Sequence, residues 1–238
     1  MAIETFKRYE KKFRINHQTY ENIVEGIRSH MHLDTFNKDG HCYTVSNIYY
    51  DTWDNILIGR SIMKPVYKEK LRLRAYGVPT LDTSVFLEIK KKYKGIVNKR
   101  RTKIKLKEAY DFVDKGIYPN DNPRVRKQVL HELEYLLHMY DLKPMVYLSY
   151  DRWAYHDNTD PDFRVTFDTN ITTRREDLRL ESGSYGQKLL PEGTYIMEVK
   201  TLTAIPLWFI EILSKNAVYA NSFSKYGTEY KMYCEKRD

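Results

Sequence analysis

The sequence has two cysteines in 238 residues, Cys42 and Cys234. They are too few for a disulfide scaffold, and neither has a CxxC partner or the spacing of a zinc site, so both read as ordinary thiols. No apolar run approaches the roughly 18 residues of a membrane span. The longest, "IPLWFIEIL", is broken by Glu211, so no membrane span is expected. Low-complexity linkers, Pro/Gly/Ser-rich boundaries and a repeat period of roughly 20 to 50 residues are also missing, which makes one domain over residues 1–238 the simplest reading. The opening "MAIETFKRYEKK" carries charge where a secretion signal needs an apolar stretch, and this points to the cytosol. Cations, by contrast, are plentiful. Lys and Arg number 40 against 32 Asp and Glu, a net charge of +8 that favours nucleic acid, anionic lipid or phosphate compounds without choosing among them.

Apolar residues at helical spacing predict a helix over Asn16 to Met31, where Asn16 would cap Tyr20, Ile23, Val24, Ile27 and Met31. A second is expected over Asn122 to Tyr140, with Pro123 in the first turn and a stripe through Val125, Val129, Leu133, Leu136, Leu137 and Tyr140. Shorter helices fit Lys107 to Lys115, stopped by Gly116, and Pro206 to Lys215. Eight segments read as strands: Phe6 to Ile15, Tyr43 to Tyr50, Val66 to Tyr76, Val85 to Tyr93, Val97 to Leu106, Met145 to Tyr155, Phe163 to Thr169 and Thr194 to Thr201.

The strands share a parity. In "YKEKLRLRAY", Lys68, Lys70, Arg72 and Arg74 fall on one face and Leu71, Leu73 and Ala75 on the other, because strand side chains alternate. The first strand sets Arg8, Glu10, Lys12 and Arg14 against Tyr9, Phe13 and Ile15. Further along, Glu88, Lys90 and Lys92 oppose Val85, Leu87 and Ile89, and Tyr150 aligns with Arg152. Arg164, Thr166 and Asp168 oppose Phe163, Val165 and Phe167, and Glu198 and Lys200 oppose Met197 and Val199. One such strand alone would be a surface strand with a solvated face. Together with helical stripes that need an apolar surface to cover, the set predicts an α+β fold. Helices would pack outside an eight-stranded antiparallel barrel and the charged faces would turn inward. That interior would hold twelve cations, Arg8, Lys12, Arg14, Lys68, Lys70, Arg72, Arg74, Lys90, Lys92, Arg152, Arg164 and Lys200, against four carboxylates, Glu10, Glu88, Asp168 and Glu198. Unpaired cations crowded together cost several kcal/mol each, so the interior calls for a polyanion such as polyphosphate or a nucleoside triphosphate. The carboxylates are either ion-pair partners or ligands for Mg²⁺ or Mn²⁺, which favour oxygen donors and bridge to phosphate. Nucleic acid fits less well, since an enclosed tunnel excludes duplex and the aromatics alternate away from the cations.

In order along the chain, "RYEKKFRI", "SNIYYDT", "KEKLRLRAYG", "FLEIKKKYKGIVNKRR", "LSYDRWAY", "FRVTFDTNI", "YIMEVKT" and "FSKYGTEY" resemble the VTC domain. That is the polyphosphate polymerase domain within the wider CYTH, or triphosphate tunnel, superfamily. The resemblance runs from Arg8 to Tyr230. It implies an eight-stranded tunnel flanked by helices and growth of inorganic polyphosphate from the γ-phosphate of ATP, starting on phosphate or pyrophosphate and assisted by Mn²⁺ or Mg²⁺. By motif, Arg72 and Arg74 of "LRLR", Lys90 of "LEIK", Arg152 of "SYDR" and Arg164 of "FRVTFD" would hold nucleotide phosphates and the acceptor. Glu198 of "MEVK" would hold the metal with Lys200 beside it, Glu10 and Glu88 being the next candidates. Lys12, Lys70, Tyr150, Ser224 and Lys225 would complete the phosphate cradle.

Two departures bear on this expectation. Hydrolytic relatives carry E-x-E-x-K on the first strand, whereas this sequence reads Arg8-x-Glu10-x-Lys12, which weakens a triphosphatase reading. The eukaryotic polymerases sit in larger complexes with an inositol-phosphate sensing domain and membrane helices, and neither is in this sequence. A metal-dependent triphosphatase in the same tunnel and a non-catalytic polyphosphate or nucleotide sensor are the alternatives, and the retained Glu198 speaks against the sensor.

Overall fold

The structure, a computed structural model, describes residues 9–94, 96–120 and 127–236. Its strands are β1 (Tyr9–Asn16), β2 (Met31–Leu33), β3 (Tyr43–Asp51), β4 (Tyr67–Tyr76), β5 (Ser84–Tyr93), β6 (Ile96–Lys105), β7 (Lys143–Asp157), β8 (Arg164–Arg174), β9 (Gln187–Lys188) and β10 (Thr194–Thr201). Its helices are α1 (His17–Ile27), α2 (Ile56–Ile62), α3 (Leu106–Lys115), α4 (Lys127–Tyr140), α5 (Leu207–Lys215) and α6 (Lys225–Glu235). Phe6 and Arg8, and Asn122, Pro123 and Val125 at the expected start of α4, lie outside the described residues. The eight expected strands all form. The two short strands β2 and β9 and the helices α2 and α6 are additional.

Local chemistry sets the ends. The Asn16 side chain accepts from the Thr19 amide at 2.8 Å and caps α1, satisfying an amide that has no partner within the helix. The helix stops four residues short of the expected Met31, which instead opens β2 against Asp157 of β7. At Gly116 the backbone turns left-handed, φ 70°, and ends α3, a conformation that costs glycine little.

All pairings are antiparallel, in the order β1-β10-β8-β7-β3-β4-β5-β6, with β2 on β7 and β9 on β8. The sheet curls into a barrel but does not close by ladder hydrogen bonds: among the described residues its outer strands β1 and β6 are unpaired with each other. The free edge of β1 is partly covered by the chain leading into α6, where the Asn221 amide donates to the Lys12 carbonyl at 2.8 Å. Covering an edge in this way removes a template for pairing with another chain.

Register and burial bear out the parity expectation. Arg74, Arg72 and Lys70 of β4 stand opposite Phe86, Glu88 and Lys90 of β5, and Lys12 stands opposite Glu198, which stands opposite Thr166. The other faces are apolar and covered from outside. Leu71, Leu73, Leu87 and Ile89 pack under α3 and α4, and Phe13, Val165, Phe167, Met197 and Val199 under α1 and α5. Glu132 of α4 accepts from Lys91 at 2.5 Å and Arg100 at 3.1 Å. Lys91 therefore points out while its neighbour Lys90 points in.

The inward face is not cationic throughout. Val45, Val146, Leu148 and Ile196 have inward parity, yet they are buried with Ile58 of α2 and Tyr226 of α6 in a third apolar cluster. The middles of β3 and β7 are thus covered on both sides, which explains why "NIYY" and "MVYLSY" read as continuous apolar runs. One end of the barrel is filled by α2 and α6, and cations line the interior up to them: Lys70 lies 5.5 Å over the Tyr226 ring, Lys68 donates to the Ser61 carbonyl at 3.3 Å, and Lys225 opens α6.

Candidate active site

Three carboxylates organise the cations. On β5, Glu88 is 1 % exposed. It accepts from Arg72 Nε at 2.8 Å and Nη2 at 2.7 Å, and it pairs with Lys99 at 2.8 Å and Arg101 at 3.9 Å. Burial by itself would raise this acid, but Arg72, Arg74 and Lys99 hold it far below the usual carboxylate range. It is an anion fixed in place, and it aims a guanidinium into the interior.

Asp168 of β8 is fully buried. Arg152 grips it through Nε to Oδ1 at 2.6 Å and Nη2 to Oδ2 at 2.7 Å, and Lys225, the first residue of α6, donates to Oδ2. The planar fork of Arg matches both carboxylate oxygens and fixes its orientation. Both cations also lie against the Tyr150 ring, Arg152 at 5.0 Å and Lys225 at 4.6 Å from its centroid. The Tyr150 hydroxyl accepts from Arg74 Nη2 at 3.2 Å, and Asn47 accepts from Arg74 Nε at 2.9 Å.

Glu198 of β10 is the third centre. Lys200 donates to it at 2.9 Å, Lys12 pairs with it at 3.2 Å, Lys225 lies at 3.6 Å and Arg152 at 4.0 Å. Burial pushes its pKa up, but Lys200, Lys12, Lys225 and Arg152 pull it well below the usual value. Lys12 also reaches Glu10 at 3.3 Å. Glu10 is raised by burial and by neighbouring Glu198, then lowered on balance by Lys90, Lys200 and Lys12. The charges of β1 and β5 therefore meet across the interior, although their strands share no ladder.

Three groups near this bed are moved to about 8: Lys70, Tyr49 and Lys99, the last lowered by burial against the pull of Glu88. Burial lowers Lys70 to about 8, opposed by Tyr49 and helped by Lys68, Lys90 and Lys12. For Tyr49, burial would raise the phenol, but Arg72, Arg74 and Lys70 outweigh it and bring it to about 8. Its hydroxyl lies 3.4 Å from Arg72 Nη1, and its ring stacks on Tyr226 at 4.5 Å. Three inward polar atoms are buried without a hydrogen-bond partner among the described residues: Thr166 Oγ1, Arg164 Nε and Glu88 Oε1, the last of which keeps its ion pair with Lys99. The other end of Arg164 donates to Asp34 at 3.0 Å, and His156 meets the same carboxylate oxygen at 3.1 Å.

Of the expected site residues, Lys12, Lys70, Arg72, Arg74, Lys90, Tyr150, Arg152, Arg164, Glu198, Lys200 and Lys225 carry inward parity or contact this bed. Ser224 instead caps α6, accepting from the Gly227 amide at 3.1 Å, and it is exposed. Arg14 is also exposed, since it stands opposite Ile196, where the interior has turned apolar. Lys99, Arg101, Tyr49 and Asn47 join the bed without having been singled out. The β6 alternation, Lys99, Arg101 and Lys103 against Thr102 and Ile104, was legible but masked by the doublet Arg100-Arg101. Tyr49 lay hidden in an apolar run.

Oxygen donors suited to a hard divalent ion are present. Glu198 faces the orphaned Thr166 hydroxyl across the ladder, and Lys12 links it to Glu10. A buried hydroxyl without a partner costs on the order of 1–3 kcal/mol, which makes Thr166 a candidate donor to a bound group, although no cluster of three or more His, Cys, Asp or Glu side chains that could hold a metal occurs among the described residues. Glu88, enclosed by three cations, is the anchor of Arg72.

The VTC domain family model matches residues 7–234. Vacuolar transporter chaperone complex subunit 4 of Trypanosoma brucei brucei is 27% identical over 272 residues, covering 94% of this chain and 34% of the relative. Its Trypanosoma cruzi counterpart is 25% identical over 269 residues with the same coverage. The chain thus spans about a third of the length of these curated relatives. Among solved structures, a candidate adenylate cyclase of Bacillus halodurans superposes with a TM-score of 0.56 at 15% identity, covering 93% of this chain and 96% of that one. A candidate adenylyl cyclase of Hippeastrum, described as having a dominant triphosphatase activity, superposes with a TM-score of 0.51 at 14% identity, covering 91% and 92%. These two likenesses concern the fold.

Proposed function

The chain belongs to the VTC domain family, and we propose that its cationic interior transfers the γ-phosphate of ATP to the end of a growing inorganic polyphosphate chain. The observation that carries the reading is the convergence of Arg72, Arg74, Lys90, Arg152, Lys12, Lys200 and Lys225 on one inward face, with the arginines oriented by buried carboxylates. Such a bed is complementary to a chain of phosphates. A terminal phosphate oxygen of the acceptor attacks the γ-phosphorus, the bond to the β–γ bridging oxygen breaks, and ADP leaves with that electron pair. Transfer of this kind needs alignment and charge neutralisation more than a protein nucleophile.

In this scheme Arg72 and Arg74 clamp the nucleotide phosphates, and Glu88, Asn47 and Tyr150 hold the two guanidiniums in position. Arg152 and Lys225, aligned by Asp168, take the acceptor end. Lys12, Lys90 and Lys200 offset charge that shifts toward the leaving oxygen. Glu198, with Glu10 and the Thr166 hydroxyl, would hold Mn²⁺ or Mg²⁺, which when bound would supply positive charge that neutralises the phosphates. The residues 1–238 would act as one catalytic domain working in the cytosol, with ATP, phosphate or pyrophosphate, and polyphosphate as its partners.

Triphosphate hydrolysis in the same interior is the second reading, favoured by the fold shared with the Hippeastrum protein. Resolving the products of ATP turnover separates the two: phosphate ladders for the polymerase, orthophosphate for the hydrolase.

A further inference from the structure

Four aromatic rings gather where β3 begins, β4 ends and β5 enters. Phe36 and Tyr76 stack with centroids 5.8 Å apart and planes 15° from parallel. Tyr43 lies 6.0 Å from Phe36 and 5.8 Å from Tyr76, and Phe86 meets Tyr76 edge-on at 6.0 Å. Phe36 is 61% exposed and Tyr76 40%. Large rings left in water at the mouth of a cationic interior are uncommon on a surface that only has to be soluble.

This cluster is tied to the phosphate bed by charged side chains. Arg101 lies 4.5 Å over the Phe86 ring and 3.9 Å from Glu88, which holds Arg72. Tyr43 stands opposite Arg152 in the ladder. Asp34 accepts from the Phe36 amide at 3.0 Å and, through its other oxygen, from Arg164 at 3.0 Å. The loop that carries Phe36 therefore also aims Arg164, whose buried Nε has no hydrogen-bond partner among the described residues. Flat apolar faces sit beside donors suited to phosphate, and this is the composition of a nucleotide: one planar base and a string of anions.

We infer that Phe36 and Tyr76, backed by Tyr43 and Phe86, form a stacking platform for the base of a nucleoside triphosphate whose phosphates enter the cationic interior. Every base presents a π-face, so such a platform contributes affinity with little discrimination among bases. It distinguishes a nucleoside triphosphate from bare polyphosphate, which has nothing to stack. The donor nucleotide enters from the aromatic end, since α2 and α6 fill the other. The inference deepens the polymerase reading and rests on it for the identity of the donor.

The test compares ATP with tripolyphosphate by titration calorimetry on the wild type and on Phe36→Ala, Tyr76→Ala and Tyr76→Phe, with melting curves as a control for folding. The expected result is that each alanine variant weakens ATP binding about tenfold and leaves tripolyphosphate binding unchanged, whereas Tyr76→Phe, which keeps the ring, binds both ligands as the wild type does. Equal weakening of both ligands means the rings only support the rim, and no change in either means the base rests elsewhere. Both outcomes overturn the inference, as does a wild type that fails to bind ATP. If ATP and tripolyphosphate separate as expected but ATP yields only orthophosphate, the platform stands and the polymerase reading falls.

Discussion

Arg152 and Asp168 face each other across β7 and β8 in a two-armed ion pair, 2.6 and 2.7 Å, on a carboxylate with no exposed surface. The same carboxylate takes Lys225 from α6, so one buried anion joins the sheet to the last helix. Removing one partner from a buried pair leaves the other uncompensated at a cost of roughly 3–5 kcal/mol.

Asp168→Asn is accordingly expected to lower the melting temperature by roughly 10 °C. The native pKa of Asp168 is depressed, since Arg152 and Lys225 outweigh its burial. Its contribution is therefore present above the ordinary aspartate value and is lost as pH falls below it toward the native value. Acid unfolding of the variant should be shallower than that of the wild type over that window. Parallel acid curves would show the pair to be dispensable.

Lys90 and Lys91 are adjacent in sequence and opposite in orientation. Lys90→Ala should weaken tripolyphosphate binding by about tenfold or more, the worth of one charge-assisted contact, and leave melting nearly unchanged. Lys91→Ala should leave binding intact and cost up to about 1 kcal/mol of stability through its part-exposed pair with Glu132. Calorimetry and thermal melts on the two variants check this, and exchanged phenotypes would reverse the assignment of the sheet faces.

Glu198 gathers Lys200, Lys12, Lys225 and Arg152. Glu198→Gln should therefore melt lower than the wild type without ligand, regain stability when tripolyphosphate is added, and lose kcat by on the order of 100-fold or more. Steady-state kinetics with Mn²⁺ titration reads the catalytic part. Near-normal turnover with unchanged metal dependence would make Glu198 an ion-pair partner and nothing more.

The interior should lose anion affinity as pH rises through about 8, the value at which Lys70 gives up its charge and Tyr49 gains one. Lys99 loses its charge at about the same value, and all three changes act in the same direction, each lysine from +1 to 0 and Tyr49 from 0 to −1. Tripolyphosphate affinity measured between about pH 7 and 9.5 should fall, and Tyr49→Phe should make the fall shallower by removing one of the three ionisations. Identical profiles for variant and wild type would remove Tyr49 from the account.

The strand parity was legible in the sequence because β4, β5, β8 and β10 bury one face in apolar contacts and keep the other charged, which is the condition under which alternation shows. It failed where strands are covered on both sides. Val45, Tyr49, Val146 and Leu148 gave no period, so the filling of one barrel end by α2 and α6 went unseen. Those helices were missed for local reasons. α2 has seven residues with Gly59 among them, and α6 spreads Tyr226, Tyr230 and Tyr233 without a clear apolar stripe. The motif "FSKYG" pointed to Lys225, which lies against Asp168 and Glu198, but it could not say that Ser224 would cap the helix that carries it. The carboxylates appeared as a surplus of anions on the cationic face. Which of them anchors an arginine and which remains beside an orphaned hydroxyl required the register.

The most direct measurement incubates the purified protein with ATP and Mn²⁺ or Mg²⁺, resolves the products on a gel that separates phosphate chains by length, and assays orthophosphate and ADP in parallel. The account predicts a ladder of polyphosphate, ADP in proportion to phosphate incorporated, and little orthophosphate. Stoichiometric orthophosphate without a ladder would contradict it and make the interior a hydrolase.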